Sequence, residues 1–207
     1  MDLLSEAFRE RAMEHGNTLH LCGFGPIVSG IRTTQLLQEL GPSRVVLFGI
    51  AGSYAEDLTV GTCVEFSEVG CYGVGAGTGR EFMTNAEMGW DQWSSKSESH
   101  LIRNVLSLSS IASNTKSSQL LTCCSASAGS VDVQWRKSKF PNAIAEDMEG
   151  FAVAAACTMH NVPLHVLRGI SNVAGNRNLK SWKIRDAMMA VEHAIAKFIP
   201  PASIPLG

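Results

Sequence analysis

The sequence predicts an α/β domain in which a central sheet is covered by helices on both faces. Three observations carry this. Short apolar runs rich in β-formers (residues 45–50, 120–126 and 164–170) alternate with stretches of helical period (residues 27–40, 148–159 and 181–198). The junctions carry the glycines and prolines that stop one element and start the next, as in Gly41-Pro42. No internal repeat and no second apolar core appear, so residues 1–207 are expected to form one domain.

Taken in order, residues 3–15 are expected to be helical, with Leu4, Phe8, Ala12 and Met13 as a narrow apolar stripe. A short strand is predicted over 18–22, then a turn at Gly23-Phe24-Gly25-Pro26 and a helix over 27–40 closed by Gly41-Pro42. Residues 45–50 form a buried strand bounded by Gly52, and residues 63–69 a further strand. Residues 70–98, rich in Gly, Ser and charge, are expected to be a long loop. A strand over 120–126, a helix over 132–139 and a strand over 143–145 follow. Then come a helix of small residues over 148–159, a strand over 164–170 and a closing helix over 181–198. The tail 200–207, PPASIPLG, is expected to be extended and weakly ordered. Ligands of such sheets bind beyond the strand C-terminal ends, which places the rim of a site after Cys22, Ile50, Ala126 and Ile170.

Composition excludes several classes of function. The formal charge of -2 gives no electrostatic footprint for nucleic acid or an anionic membrane. No apolar run reaches the ~18 residues of a membrane span. The first 16 residues mix both charge signs around no apolar core, unlike a signal peptide, so a cytoplasmic protein is expected. The six cysteines are irregularly spaced with no CxxC and read as reduced, buried thiols. The six histidines show no HExxH or other ligand spacing, so no metal and no cofactor are expected. A hydrophobic share of 45% against a charged share of 17% suits an oligomeric surface.

Four segments stand where chemistry is expected. Backbone N–H groups around Gly25 open a helix and can hold an anion or a polarised water, and Pro26 removes one donor that a phosphate cradle would use. Gly49 and Gly52 in FGIAGSY let a ligand approach the backbone at the end of a buried strand, or simply make a turn. Glu146, Asp147 and Glu149 directly precede an almost wholly apolar helix. Asp147 reads equally as an N-cap, and buried carboxylates in such a place need partners or a task. Arg168, Ser171 and Asn172 end the last strand. Arg168 can pair with a nearby carboxylate, and the Asn172 amide carries a donor and an acceptor in one plane.

In this order, GFG, GIAG, EDMEG and RGISN resemble the nucleoside phosphorylase/nucleosidase superfamily over residues 20–198. Within it, EDMEGFAVAAA with RGISNVAGNRNLKSWKI is similar to the futalosine hydrolase family, which removes hypoxanthine from futalosine in menaquinone biosynthesis. The resemblance implies a single phosphorylase/hydrolase-like domain with a twisted mixed sheet flanked by helices. It implies that Glu149 grips the ribose hydroxyls, Met148 packs beneath the sugar and Arg168 supports the loop. Trp182 then closes the pocket, and Ser125 and Ser127 lie along the purine. Gly25, Gly52 and Ser171 belong to the same implied substrate-binding set. Asn172 stands where methylthioadenosine nucleosidases carry an Asp that protonates adenine, which favours a 6-oxopurine. The implied partners are a small purine nucleoside and further copies of the chain.

The family pattern also begins with a strand followed by a glutamate that activates the attacking water. Here the 22 residues before Gly23 read as a helix, with Glu10 and Glu14 on a solvated face. The domain is therefore expected to lack that first strand or to begin upstream. Loss of a general base costs a hydrolase roughly two to four orders of magnitude. Phosphorolysis, a methylthioadenosine-type nucleosidase activity and a non-catalytic nucleoside binder are the alternatives.

Overall fold

The computed structural model describes residues 4–55, 57–95, 100–110 and 118–196. Two helices come first, α1 (Glu6–Glu14) and α2 (Pro26–Leu40). Strands β1 (Val45–Ser53), β2 (Cys63–Phe66) and β3 (Glu68–Tyr72) follow, then the short strands β4 (Gly75–Ala76), β5 (Met83–Thr84), β6 (Trp93–Ser94), β7 (Leu101–Ile102) and β8 (Val105–Ser107). The chain continues through β9 (Gln119–Cys123), α3 (Ser130–Lys139), β10 (Ala143–Asp147), α4 (Gly150–Met159), β11 (Leu164–Val173) and α5 (Ile184–Ile195).

Seven strands form one mixed sheet in the order β2-β11-β1-β10-β9-β3-β8. β1 runs parallel to β11, and β9 parallel to both β10 and β3, while β1 meets β10 antiparallel. Alternation along the strands divides the core. Phe66, Val69, Leu120, Val166 and Ile170 face α2 and α4 in the main cluster. Leu167 faces α1 and α5 with Phe8, Val191 and Ile195, and Leu121 lies in a third cluster with Phe140 and Tyr54. Each fully buried Leu, Ile or Phe contributes roughly 1.5–3 kcal/mol. The small residues of α4 let α2 come close, so that a Cβ on Gly30 would stand 3.5 Å from that of Ala152.

Several expectations are corrected. Residues 18–22 belong to no strand. β1 meets β10 only at Gly52↔Glu146 and Ser53↔Ala145, and residues 18–22 do not pair with the edge it leaves open along residues 45–51 among the described residues; both line one cavity instead. A β-rich run becomes a strand only against a partner ladder. The single strand expected over 63–69 divides at Ser67, because β2 pairs with β11 and β3 with β8 and β9. The long loop expected over 70–98 holds the end of β3 and the short β4–β5 hairpin. Met13 is exposed, since α1 docks through Phe8 and Ala12 alone, with Phe8 edge-on to Phe48 at 6.1 Å. The closing helix begins at Ile184, after a short 3-10 turn at Leu179–Ser181. The tail 200–207 lies outside the described residues.

Candidate active site

Strand β10 delivers consecutive carboxylates to opposite sides of itself. Asp147, whose side chain is fully buried, accepts a bond from Arg168 Nε at 3.1 Å and another from Arg168 Nη2. It also accepts from Thr122 Oγ1 at 2.6 Å and from the Gly150 N–H at 2.9 Å, so it pins the start of α4. Asp147 is paired with an arginine, and it is not the N-cap: Glu149 holds that position, and Asp147 accepts the first helical N–H from two residues before it. Arg168 reaches it because Gly49, its neighbour on β1, has no side chain; a Cβ there would collide with the guanidinium.

The guanidinium also turns toward Glu149, with Nη2 to Oε2 at 3.6 Å. The other oxygen, Oε1, accepts the Gly25 N–H at 3.0 Å. Gly25 sits at φ 78°, a left-handed conformation that suits glycine and turns its N–H toward the carboxylate. The backbone donor expected to hold a water or an anion is thus used by Glu149. Burial raises the Glu149 carboxyl above its ordinary value, against the opposing pull of Arg168 and the Gly25 N–H.

Glu149 faces a cavity of about 1480 Å³ that is also lined by β1 and residues 18–22. Met148, Arg168, Ser171, Asn172, Gly52 and Trp182 share its wall. Asn172 Oδ1 accepts from Ser171 Oγ at 2.8 Å, and its Nδ2 donates to the Val173 carbonyl at 2.9 Å. One lone pair and one hydrogen of the amide remain for a ligand. Trp182 is braced by its indole N–H to the Asn176 carbonyl at 3.0 Å and by Arg177, whose guanidinium lies 5.3 Å from the ring centroid.

Ser125 and Ser127 lie off this wall, where Ala126 between them stands on it. Ser127 is buried and its hydroxyl donates to Glu146 Oε2 at 2.6 Å, so its polar atoms face the protein. Glu146 and its partner Arg136 are features that sequence reading did not single out as a pair; ten residues separate them, and only folding makes them neighbours. Glu6, Glu10 and Glu14 of α1 are all exposed. Among the described residues, the carboxylates on the cavity are Glu146, Asp147 and Glu149. No group of three or more potential metal ligands occurs among the described residues, and no helix there is long and apolar enough to cross a membrane.

Chemically the wall offers a desolvated carboxylate beside an arginine, a planar amide and an aromatic flap. A carboxylate in such a place stabilises positive charge that develops on a bound molecule.

Comparison with known proteins places the sequence and the fold among nucleosidases. A futalosine hydrolase from Streptomyces coelicolor is 30% identical over 156 residues, which are 75% of this chain and 65% of that protein. The chain thus spans just under two thirds of that relative's length. A 5'-methylthioadenosine/S-adenosylhomocysteine nucleosidase from Chromohalobacter salexigens is 28% identical over 78% of this chain and 68% of its own length. The fold matches the corresponding nucleosidase from Neisseria meningitidis, solved with methylthio-immucillin-A, at a TM-score of 0.69 and 18% identity, covering 86% of this chain and 78% of that one. It matches futalosine hydrolase of Helicobacter pylori at a TM-score of 0.67 and 17% identity, over 86% and 76% of the two chains. The family model described as the phosphorylase superfamily matches residues 10–200, nearly the whole chain, and this chain belongs to that superfamily.

Proposed function

We propose that the protein is a purine nucleosidase that hydrolyses the N-glycosidic bond of a 6-oxopurine nucleoside, with futalosine as substrate and hypoxanthine and dehypoxanthine futalosine as products. The observation that carries this reading is the presence of Glu149 and Asn172 on one cavity wall, the first fixed by the Gly25 N–H and Arg168. Glycosidic cleavage passes through an oxocarbenium-like sugar, and Glu149 supplies the negative charge for it while gripping the ribose hydroxyls. Asn172 meets the base. A 6-oxopurine offers O6 and N7 as acceptors and N1–H as a donor, all of which an amide can match, whereas a 6-aminopurine gains more from a carboxylic acid. Met148 underlies the sugar, Trp182 closes over it, and the loop 125–127 lies along the purine through Ala126.

The protein acts in the cytoplasm, in menaquinone biosynthesis, as a homo-oligomer. Its six cysteines are free thiols. Leu21, Phe24, Ile27 and Ile31 stand exposed beside Gly25, an apolar patch that suits a second copy at the cavity mouth.

One observation favours a second reading, a nucleoside-binding protein without turnover. Each carboxylate on the cavity among the described residues is already bound to an arginine or a backbone N–H, and the α1 glutamates point to solvent. Turnover of futalosine, inosine and methylthioadenosine, with and without phosphate, separates these readings. Release of hypoxanthine independent of phosphate is expected. Release of adenine alone overturns the base assignment, a phosphate-dependent rate means phosphorolysis, and hypoxanthine binding without cleavage means the binder.

A further inference from the structure

A buried ion pair stands behind the loop that joins β9 to α3. Arg136 of α3 and Glu146 of β10 are both about 5% exposed, and Arg136 Nη1 donates to Glu146 Oε2 at 2.6 Å. The pair reaches the loop backbone twice. Arg136 Nη2 donates to the Ser125 carbonyl at 2.8 Å, and Glu146 Oε1 accepts the Ser127 N–H at 2.8 Å.

Those two bonds fix two successive peptide planes. In a trans peptide the carbonyl and the N–H of the next residue point in opposite directions. The Ser125 carbonyl is turned inward to Arg136, so the Ala126 N–H points away from the pair. The Ser127 N–H is turned inward to Glu146, so the Ala126 carbonyl also points away. Ala126 lies on the cavity wall, and neither its N–H nor its carbonyl has a hydrogen-bond partner among the described residues.

We propose that Arg136 and Glu146 are positioning residues for base recognition, holding the Ala126 N–H and carbonyl toward the cavity as an adjacent donor and acceptor for the edge of a purine. This rests on the nucleosidase reading above. A purine presents an adjacent donor and acceptor at N1 and its 6-substituent, and one backbone residue complements both. Stability alone does not account for the pair, because an apolar pair of the same volume usually serves a core as well as a buried ion pair does. What an ion pair adds is direction. The guanidinium fork addresses a carboxylate and a carbonyl at once, and the Tyr72 ring lies 5.4 Å from its carbon.

The test compares three variants of the full chain with the parent, by hypoxanthine calorimetry, nucleoside KM and kcat, and thermal unfolding. Arg136→Lys keeps the charge opposite Glu146 but replaces the planar fork with a point charge. The expected result is a rise of about tenfold in hypoxanthine Kd and in KM, the worth of one to two misaligned hydrogen bonds. kcat is expected to stay within about threefold, since these bonds hold substrate and transition state alike. Tyr54→Phe removes a hydroxyl that donates to Glu146 at 2.6 Å and touches neither loop bond. It is expected to lower the unfolding temperature and leave KM unchanged. A folded Arg136→Lys protein with parental Kd and KM overturns the proposal, as does a Tyr54→Phe protein that weakens binding equally. If Arg136→Lys does not fold, Glu146→Gln is read in the same assays with the same rise expected, and parental values again overturn it. A parent that neither binds hypoxanthine nor cleaves a nucleoside instead removes the functional reading itself.

Discussion

Replacing Asp147 with alanine is expected to cost more than any change on the protein surface. The carboxylate is fully buried and so is its partner, the Arg168 side chain being only 4% exposed. It accepts from two guanidinium nitrogens, from Thr122 and from the first N–H of α4. Alanine leaves the nearly buried guanidinium without its hydrogen-bonded carboxylate and with Glu149 at 3.6 Å, a loss of about 3–5 kcal/mol. In a domain of this size each kcal/mol moves the melting temperature by roughly 2–4 °C, so a fall of about 6–20 °C is expected. Urea unfolding read by circular dichroism gives the free energy directly, provided the slope m is unchanged. The double variant Asp147→Leu, Arg168→Met removes both charges and is expected to be more stable than Asp147→Ala, with a coupling of at least about 1 kcal/mol between the two sites. A loss below about 1 kcal/mol for Asp147→Ala, or a double variant that equals the sum of its singles, refutes the claim of a buried, mutually dependent pair. Activity adds a second readout, because Arg168 also faces Glu149 at 3.6 Å and loses its anchor in Asp147→Ala.

Three further outcomes are expected. Glu149→Gln keeps the acceptor for the Gly25 N–H but removes the charge, and kcat/KM should fall at least ~100-fold. Burial raises the Glu149 carboxyl in the folded state, so its contribution to stability is complete below the unfolded carboxylate value and is lost as pH rises through the folded one. Glu149→Gln should therefore be more stable than the parent at neutral pH, with the gain fading in acid; thermal unfolding against pH checks this, and a less stable variant at pH 7 contradicts it. Asn172→Asp should shift the ratio of kcat/KM for inosine over adenosine by about tenfold toward the 6-aminopurine, and an unmoved ratio sinks the base assignment. Burial pushes the Cys71 thiol up to about 11 and Cys157 up to about 12, while Cys124 is exposed. A thiol reagent at pH 8 should modify Cys124 rapidly and reach Cys71 and Cys157 only on unfolding; equal rates would mean that the core opens.

Much of the architecture was legible in local pattern. Helix α2 lies where the 3.6-residue period and Gly41-Pro42 place it, with Gly41 left-handed at its end. Strand β11 is an apolar run buried on both faces, which reads continuously rather than in alternation, and β1 is a similar run that is half-buried over most of residues 45–50. That Glu149 and Asn172 stand on the cavity was legible because Asn172 lies at the end of β11 and Glu149 opens α4, where an α/β sheet presents its polar groups. These are short-range signals, set by rotation per residue and by the steric limits of Gly and Pro.

Tertiary structure alone decided the rest, because those outcomes depend on partners distant in sequence. Residues 18–22 have strand composition but do not pair with the open edge of β1, and a run without a partner is not a strand. Asp147 could be an N-cap or an ion-pair member from sequence; Glu149 takes the N-cap position, and Asp147 is the ion-pair member because β11 brings Arg168 beside it through the space left by Gly49. The serines of the loop after β9 suggest polar contact with a ligand. Yet Arg136 and Glu146 turn Ser127 inward and leave Ala126, the residue with no polar side chain, on the cavity wall. The sequence determined where α2, β1, α4 and β11 form and which side chains end them. Which polar group faces the cavity and which is spent inside the protein was decided by pairing across tens of residues, where an unpaired buried charge costs several kcal/mol.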